Sequence, residues 1–145
     1  MDITSDSLVI SSSLNHDGDQ FVRFGFRVQN ARFSGTTLTW GYADEVVSLA
    51  DALIGFPKTG TDSVRFQFGS SRTGTCLLEF LRIDRTGHTA VWVTLEGLES
   101  CGPSGRFEQV SLFLKVEPAA IDRFAAALRG FRPGMDNEAT LPGIE

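Results

Sequence analysis

The last third of the sequence, from Gly87 to Phe131, constrains the fold most strongly. Alternating apolar residues in His88–Glu96 and Phe107–Val116 predict two strands. Pro118–Leu128 follows with apolar residues at helical spacing, a proline at its first position and Gly130 after its end, which predicts an amphipathic helix. This segment therefore predicts a small sheet packed against a helix, and it carries no evident catalytic group.

Strands and one further helix are predicted upstream. Apolar and polar residues alternate through Gln20–Gln29, which indicates a strand with one buried face. In Ala43–Ile54 the apolar spacing changes to that of a helix, with acidic residues in its first turn. Further strands are predicted at Leu8–Ser12, Phe33–Trp40, Val64–Phe68 and Thr75–Ile83.

The predicted fold class is α+β, since most connections between strands have hairpin length. We expect a mostly antiparallel sheet of about six or seven strands, with two helices packed on one face. A chain of 145 residues has the usual size of one domain. Residues 1–131 are predicted to form that domain, and residues 132–145, rich in proline, glycine and acids, a loosely ordered C-terminal tail.

A strong hairpin signal, Asp84–Gly87, sets the expected register in the middle of the sheet. If the flanking strands pair outward from this turn, Cys76 lies opposite Leu95, and Glu79 lies opposite Trp92. Thr75–Ile83 is apolar on both faces, which is typical of a strand inside a sheet.

Composition excludes several classes of protein. The net charge of −5 disfavours a nucleic-acid binder, which needs a basic face. No signal peptide and no membrane span are expected, because the first residues lack a basic region and no apolar run is long enough. With only Cys76 and Cys101, we expect a cytoplasmic protein with reduced thiols.

No catalytic, metal or cofactor site is predicted. His16–Asp19 lacks the EF-hand pattern, and Gly69–Thr75 lacks the P-loop ending, so they are interpreted as a hairpin turn and a strand connection. The two cysteines with His88 fall short of four zinc ligands. Glu79 interrupts an apolar strand and is expected to pair with an arginine, of which Arg23, Arg27 and Arg65 are the candidates.

Three large aromatic residues lie outside the predicted core stripes. They are Trp40, Tyr42 and Trp92, which either form a second apolar cluster or stand exposed as an interface. The 12 phenylalanines, by contrast, fall mostly in strand-like runs and are interpreted as core residues.

Two stretches carry a resemblance to known proteins. The later one reads "GHTAVWVTLEG" and then "FEQVSLFLKVEPAAIDRFAAALRGF", and the earlier one reads "DEVVSLADALIGF". In order and pattern they resemble small bacterial α+β families that are similar to immunity proteins of polymorphic toxin systems. The resemblance implies a non-enzymatic protein that binds and neutralises a cognate toxin, and it transfers no functional residue.

The favoured function is therefore that of a protein-binding module. In the most specific version of this hypothesis, the partner is a basic toxin domain. Its expected contact residues are Glu96 and Glu99, Asp17 and Asp19, and Trp92.

Two alternatives remain at this point. One is a structural or accessory subunit that forms a homo-oligomer through the sheet face carrying Trp92 and Phe113. The other is a small-molecule-binding domain with a pocket between the sheet and the Ala43–Ile54 helix, using Glu79 and Arg82.

Overall fold

The computed structural model describes residues 5–13, 21–57, 63–70, 74–132 and 135–144. Within them the chain forms eight strands and two helices. Their order is β1 (Ser7–Ser12), β2 (Phe21–Gln29), β3 (Ser34–Tyr42), α1 (Glu45–Ala52), β4 (Ser63–Gly69), β5 (Thr75–Arg82), β6 (Thr89–Cys101), β7 (Arg106–Val116), α2 (Pro118–Arg129) and β8 (Asn137–Pro142).

The strands form two antiparallel sheets of four. The first sheet has the order β3-β2-β1-β8, and the second has the order β4-β5-β6-β7. The α+β character and the two helices are confirmed. The prediction of one sheet with six or seven strands was wrong, because the strands on either side of α1 do not pair with each other and belong to different sheets.

A second correction concerns the predicted C-terminal tail. Residues 137–142 form β8, which pairs antiparallel with β1 and places Leu141 opposite Leu8. Ala139 and Leu141 are both buried, so this short segment adds apolar surface to the core. The chain therefore returns to its first strand after α2.

The two sheets face each other across one hydrophobic core. Phe68 of β4 contacts two rings of β2, with centroids 5.3 Å from Phe24 and 5.1 Å from Phe26. Alternation explains this layer, since every second residue of β2 from Val22 to Val28 is buried. Burying a phenylalanine or leucine contributes about 1.5–3 kcal/mol, so this shared layer is a main source of stability.

Both helices add their apolar stripes to the same core. In α1 the buried residues are Val46, Leu49 and Ala50, and in α2 they are Ala120, Ile121, Phe124 and Leu128. The helices contact each other, and α2 also packs against β8. The carboxylate of Asp51 in α1 accepts a 2.5 Å hydrogen bond from the Arg129 guanidinium in α2.

Pairing within the second sheet confirms the predicted register. Cys76 lies opposite Leu95, and Glu79 lies opposite Trp92. The amide of Ile83 donates a 2.9 Å hydrogen bond to the carbonyl of His88, which closes the turn predicted at Asp84–Gly87.

The first sheet crosses the second at the strand β3. The Thr37 hydroxyl donates a 2.8 Å hydrogen bond to the carbonyl of Glu96 in β6. This bond joins the inner face of β3 to the second sheet, and the outer face of the first sheet remains exposed along β2 and β3.

Candidate functional site

Three aromatic residues form an exposed patch on the outer face of the first sheet. Phe21 stands opposite Tyr42, and the next outward position of β3 is Trp40. The Phe21 ring stacks on the Trp40 ring at 5.8 Å and meets the Tyr42 ring edge-on at 5.5 Å. Their exposed fractions are 44% for Phe21, 51% for Trp40 and 60% for Tyr42. We call these three residues the aromatic patch.

The aromatic patch follows from the strand period. On β2 the core residues occupy even positions, so Phe21 and Arg23 point outward together. On β3 the inward positions hold Thr37 and Thr39, and the large residues lie on the outer face. A contiguous exposed apolar patch of this kind needs an explanation, because such patches mark binding sites.

A depression lies beside the aromatic patch on the same face. Its floor is formed by Gly25 and Ser11, which are directly paired across β2 and β1, and Leu38 borders it on β3. Two adjoining volumes of about 520 and 470 Å³ share these residues and Glu138. Gly25 adds no side chain to this floor, and the Ser11 hydroxyl lies over it, since a Cβ atom at Gly25 would be 2.8 Å from that oxygen.

Positive and negative side chains lie on opposite sides of this depression. Arg23 and Arg27 are exposed on β2 on either side of Gly25, and they line its β2 half. Glu138 lies opposite Ser11 on β8, and Asp136 lines the same end. The face is therefore basic over β2 and acidic over β8. Arg23 also stands directly opposite Trp40, which joins the charged region to the aromatic patch.

Trp92, an expected contact residue, lies on the outer face of the second sheet. It is 42% exposed, and its ring centroid is 5.0 Å from that of Phe113 on β7. The structure therefore places Trp92 and the aromatic patch on different sheets. Glu79 lies between Trp92 and Arg65 in the register. Arg23 and Arg27 lie on the other sheet, so the expectation that either pairs with Glu79 was wrong.

The expected acidic contacts are split. Glu96 and Glu99 lie on β6 around an irregularity in its pairing with β7, and Glu99 is exposed. The Glu96 carbonyl is bonded to Thr37, so the backbone here has a structural role. Asp17 and Asp19 lie outside the described residues. Among the described contacts, Glu96 shares the outer face of β6 with Trp92, four residues away on the same strand, whereas Glu99 lies within the irregular stretch.

The cysteines and histidine are dispersed among the described elements. Cys76 is a free, fully buried thiol, and burial raises its pKa well above the usual range, which keeps it protonated and unreactive. Cys101 is free and exposed. His88 lies at the turn after β5, where its Nδ1 is 2.5 Å from an Asp84 carboxylate oxygen. No described contact joins these three groups.

A smaller cavity of about 180 Å³ lies beside the N-terminus of α1. Its lining includes Ala43, Asp44 and Val47, together with Phe131 and Asn137. Glu79 and Arg82, the residues expected to line a pocket between the sheet and the helix, do not line this cavity. Within the described ranges, no group of three metal-binding side chains is present.

Comparison with known proteins gives no family assignment. No protein-family model matches the chain, and neither the curated proteins nor the solved structures include a match. Neither described helix combines the length and apolar character required to cross a bilayer.

Proposed function

We propose that this chain is a non-enzymatic protein-binding module and that its partner binds the aromatic patch. The observation that carries this proposal is the contact of three exposed rings, Phe21, Trp40 and Tyr42, on an open sheet face. Tryptophan, tyrosine and arginine dominate the binding energy of protein interfaces, and Arg23 stands directly opposite Trp40.

The aromatic patch is also preorganised for binding by the sheet. The rings are fixed by strand pairing and by their contacts with each other, so ordering them on binding costs little entropy. A partner that covers them removes apolar surface from water, which contributes about 25 cal/mol per Å².

The sequence resemblance supports the most specific form of this proposal, an immunity protein that neutralises a cognate bacterial toxin. The net charge of −5 favours long-range attraction of a basic toxin domain. In this form the aromatic patch supplies short-range affinity, and the overall charge speeds association.

Affinity capture with matched tryptophan variants tests the proposal. The tagged protein, Trp40→Ala/Tyr42→Ala and Trp92→Ala are each used to capture partners from a lysate of the source organism. Trp40 and Trp92 are both exposed tryptophans on outer sheet faces, so the variants compare the two faces with similar chemistry. Far-ultraviolet circular dichroism confirms that each variant is folded.

We expect one stoichiometric protein to be captured by the wild type and by Trp92→Ala. The double variant should bind it at least about 30-fold more weakly, as for the loss of a binding hot spot. A partner lost only with Trp92→Ala would place the interface on the second sheet. Recovery of the protein alone as a homo-oligomer would favour an accessory subunit.

The acidic residues on β6 have a separate test with the captured partner. Reversing charge at Glu96 and Glu99 should slow association and weaken its dependence on salt if the long-range attraction acts there. Unchanged association kinetics would exclude these two residues from the encounter surface and leave the aromatic patch untouched.

A further inference from the structure

We infer that the β2 half of the depression binds an acidic segment of the protein partner, whose carboxylates are held by Arg23 and Arg27. This inference rests on the proposed function and specifies the chemistry of the partner at that same face. It assigns a role to two arginines that the sequence associated with Glu79 instead.

The geometry of β2 supports a segment lying along the strand. Arg23 and Arg27 are four residues apart on one strand and point to the same face. At about 3.4 Å per residue, their Cα atoms are separated by about 13–14 Å. An extended segment with acidic side chains at positions i and i+4 has the same spacing. Gly25 lies between the two arginines and lines both volumes of the depression, which leave room for such a segment above the sheet.

The chemistry of the arginines favours carboxylates. Among the described residues neither Arg23 nor Arg27 forms an ion pair, and both are exposed. A guanidinium binds a carboxylate through two parallel hydrogen bonds, and charged hydrogen bonds of this kind are about twice as strong as neutral ones. An arginine beside Trp40 also repels a cationic side chain from the adjoining end of the aromatic patch.

The acidic residue Glu138 on β8 sets the limit of this site. Its carboxylate repels carboxylates from the far end of the depression, so the acidic side chains of the partner must lie over β2. A toxin that is basic overall satisfies this requirement when the segment seated on β2 carries acidic residues. Removing the charge of Glu138 therefore serves as a control, because it should affect the binding of an acidic segment in the opposite direction to removing the arginines.

Selection from a displayed library of short random peptides tests the inference without a known partner. The full-length protein is the target, and each selected peptide carries a fluorescent label and is titrated by fluorescence anisotropy, so that the same readout applies to every variant. We expect aspartate and glutamate to be enriched among the selected peptides. Arg23→Gln/Arg27→Gln should weaken their binding about tenfold or more, since two charged contacts are removed.

Two variants serve as controls. Arg65→Gln removes an exposed arginine from β4 of the second sheet and should leave peptide binding unchanged. Glu138→Gln removes the nearby negative charge and should leave binding equal or strengthen it up to about threefold.

Several results would overturn the inference. These are selection of neutral or basic peptides, selection of none, and acidic peptides that bind equally to the double arginine variant. A wild-type dimer in sedimentation that dissociates in Arg23→Glu would show instead that a second copy occupies this face.

Peptide binding to the aromatic and arginine variants distinguishes loss of the acidic-segment site from loss of the whole interface. Peptides that lose binding in Trp40→Ala/Tyr42→Ala but not in the arginine variant keep the aromatic patch as the interface and remove the acidic segment. Peptides indifferent to both changes remove the interface itself.

Discussion

Gly74 packs so closely on β3 that a Cβ atom at this position would collide with the backbone carbonyl oxygen of Leu38. Gly74 immediately precedes β5, so the two sheets meet here at backbone distance. Its φ of +80° is also one that residues with side chains rarely adopt. The crossing of the sheets therefore depends on glycine for two separate reasons.

Gly74→Ala should lower the free energy of unfolding by about 3 kcal/mol or more, since it adds backbone strain and a steric collision. Gly87→Ala is the matched control. Gly87 has a φ of +94°, and a Cβ atom there meets no atom within 4 Å, so only strain of about 1–2 kcal/mol is expected. Urea denaturation measures both losses. Equal losses would show that the contact with Leu38 contributes nothing.

Loss of the hydroxyl group should affect stability differently at two threonines of β3, Thr37 and Thr39, whose side chains both point into the core. The Thr39 hydroxyl is buried and has no hydrogen-bond partner among the described residues, whereas that of Thr37 donates to Glu96. Thr39→Val should leave stability unchanged or raise it by up to about 1 kcal/mol, and Thr37→Val should lower it by about 1 kcal/mol. Thermal and urea unfolding of both variants checks this. A loss of stability in Thr39→Val would reveal a partner for its hydroxyl.

The side-chain amide of Asn137 fixes the start of β8. Its Nδ2 donates to the Ser12 hydroxyl and to the carbonyls of Arg132 and Met135, each at 3.0 Å. Asn137→Asp removes this donor and should lower the free energy of unfolding by about 2 kcal/mol. Hydrogen exchange of the β1 and β8 amides should accelerate.

Asn30→Asp is the control for that change. The Asn30 side-chain oxygen accepts hydrogen bonds from the amides of Arg32 and Phe33, a role that a carboxylate keeps. Its stability should stay within about 0.5 kcal/mol of the wild type. Similar losses at both positions would mean that the added charge, rather than the lost donor, destabilises the protein.

Protonation of Asp84 in the turn after β5 should contribute to the loss of folding stability at acidic pH. The hydrogen bond from the Thr86 hydroxyl, assisted by bonds from His88, lowers the pKa of Asp84 below its usual value of 3.8. Because the folded pKa is the lower one, the stabilisation is complete above the unfolded value and is lost as pH falls through the folded pKa. Unfolding measured from neutral pH into this acidic range should therefore depend less steeply on pH in Asp84→Asn. Asp122→Asn is the charge-matched control, and identical slopes in wild type and Asp84→Asn would contradict the prediction.

Local periodicity was sufficient for most elements of this fold. The alternation through β2 and the helical spacing of α2 each lie within a single segment, so the sequence shows them directly. The division into two sheets depends on contacts between distant segments, such as Leu8 with Leu141, and no local pattern contains that information. β8 was missed because it buries only Ala139 and Leu141 and is surrounded by proline and glycine.

The candidate site was predicted only in part. Trp40 and Tyr42 were recognised as aromatics outside the core, and the structure shows both to be exposed. Phe21 was missed because phenylalanines were interpreted as core residues, although alternation places it with Arg23 on the outer face. Trp92 lies on the second sheet and the aromatic patch on the first. This separation depends on the strand order, which the sequence does not reveal.

The pairing of β1 with both β2 and β8 also has a consequence for how the chain is made. β2 is available soon after β1 is synthesised, but β8 follows more than a hundred residues later, at Asn137–Pro142. During synthesis β1 is therefore an open sheet edge, with apolar residues that a neighbouring chain can pair with. A strand that is synthesised long after β1 is thus the one that shields β1 from aggregation.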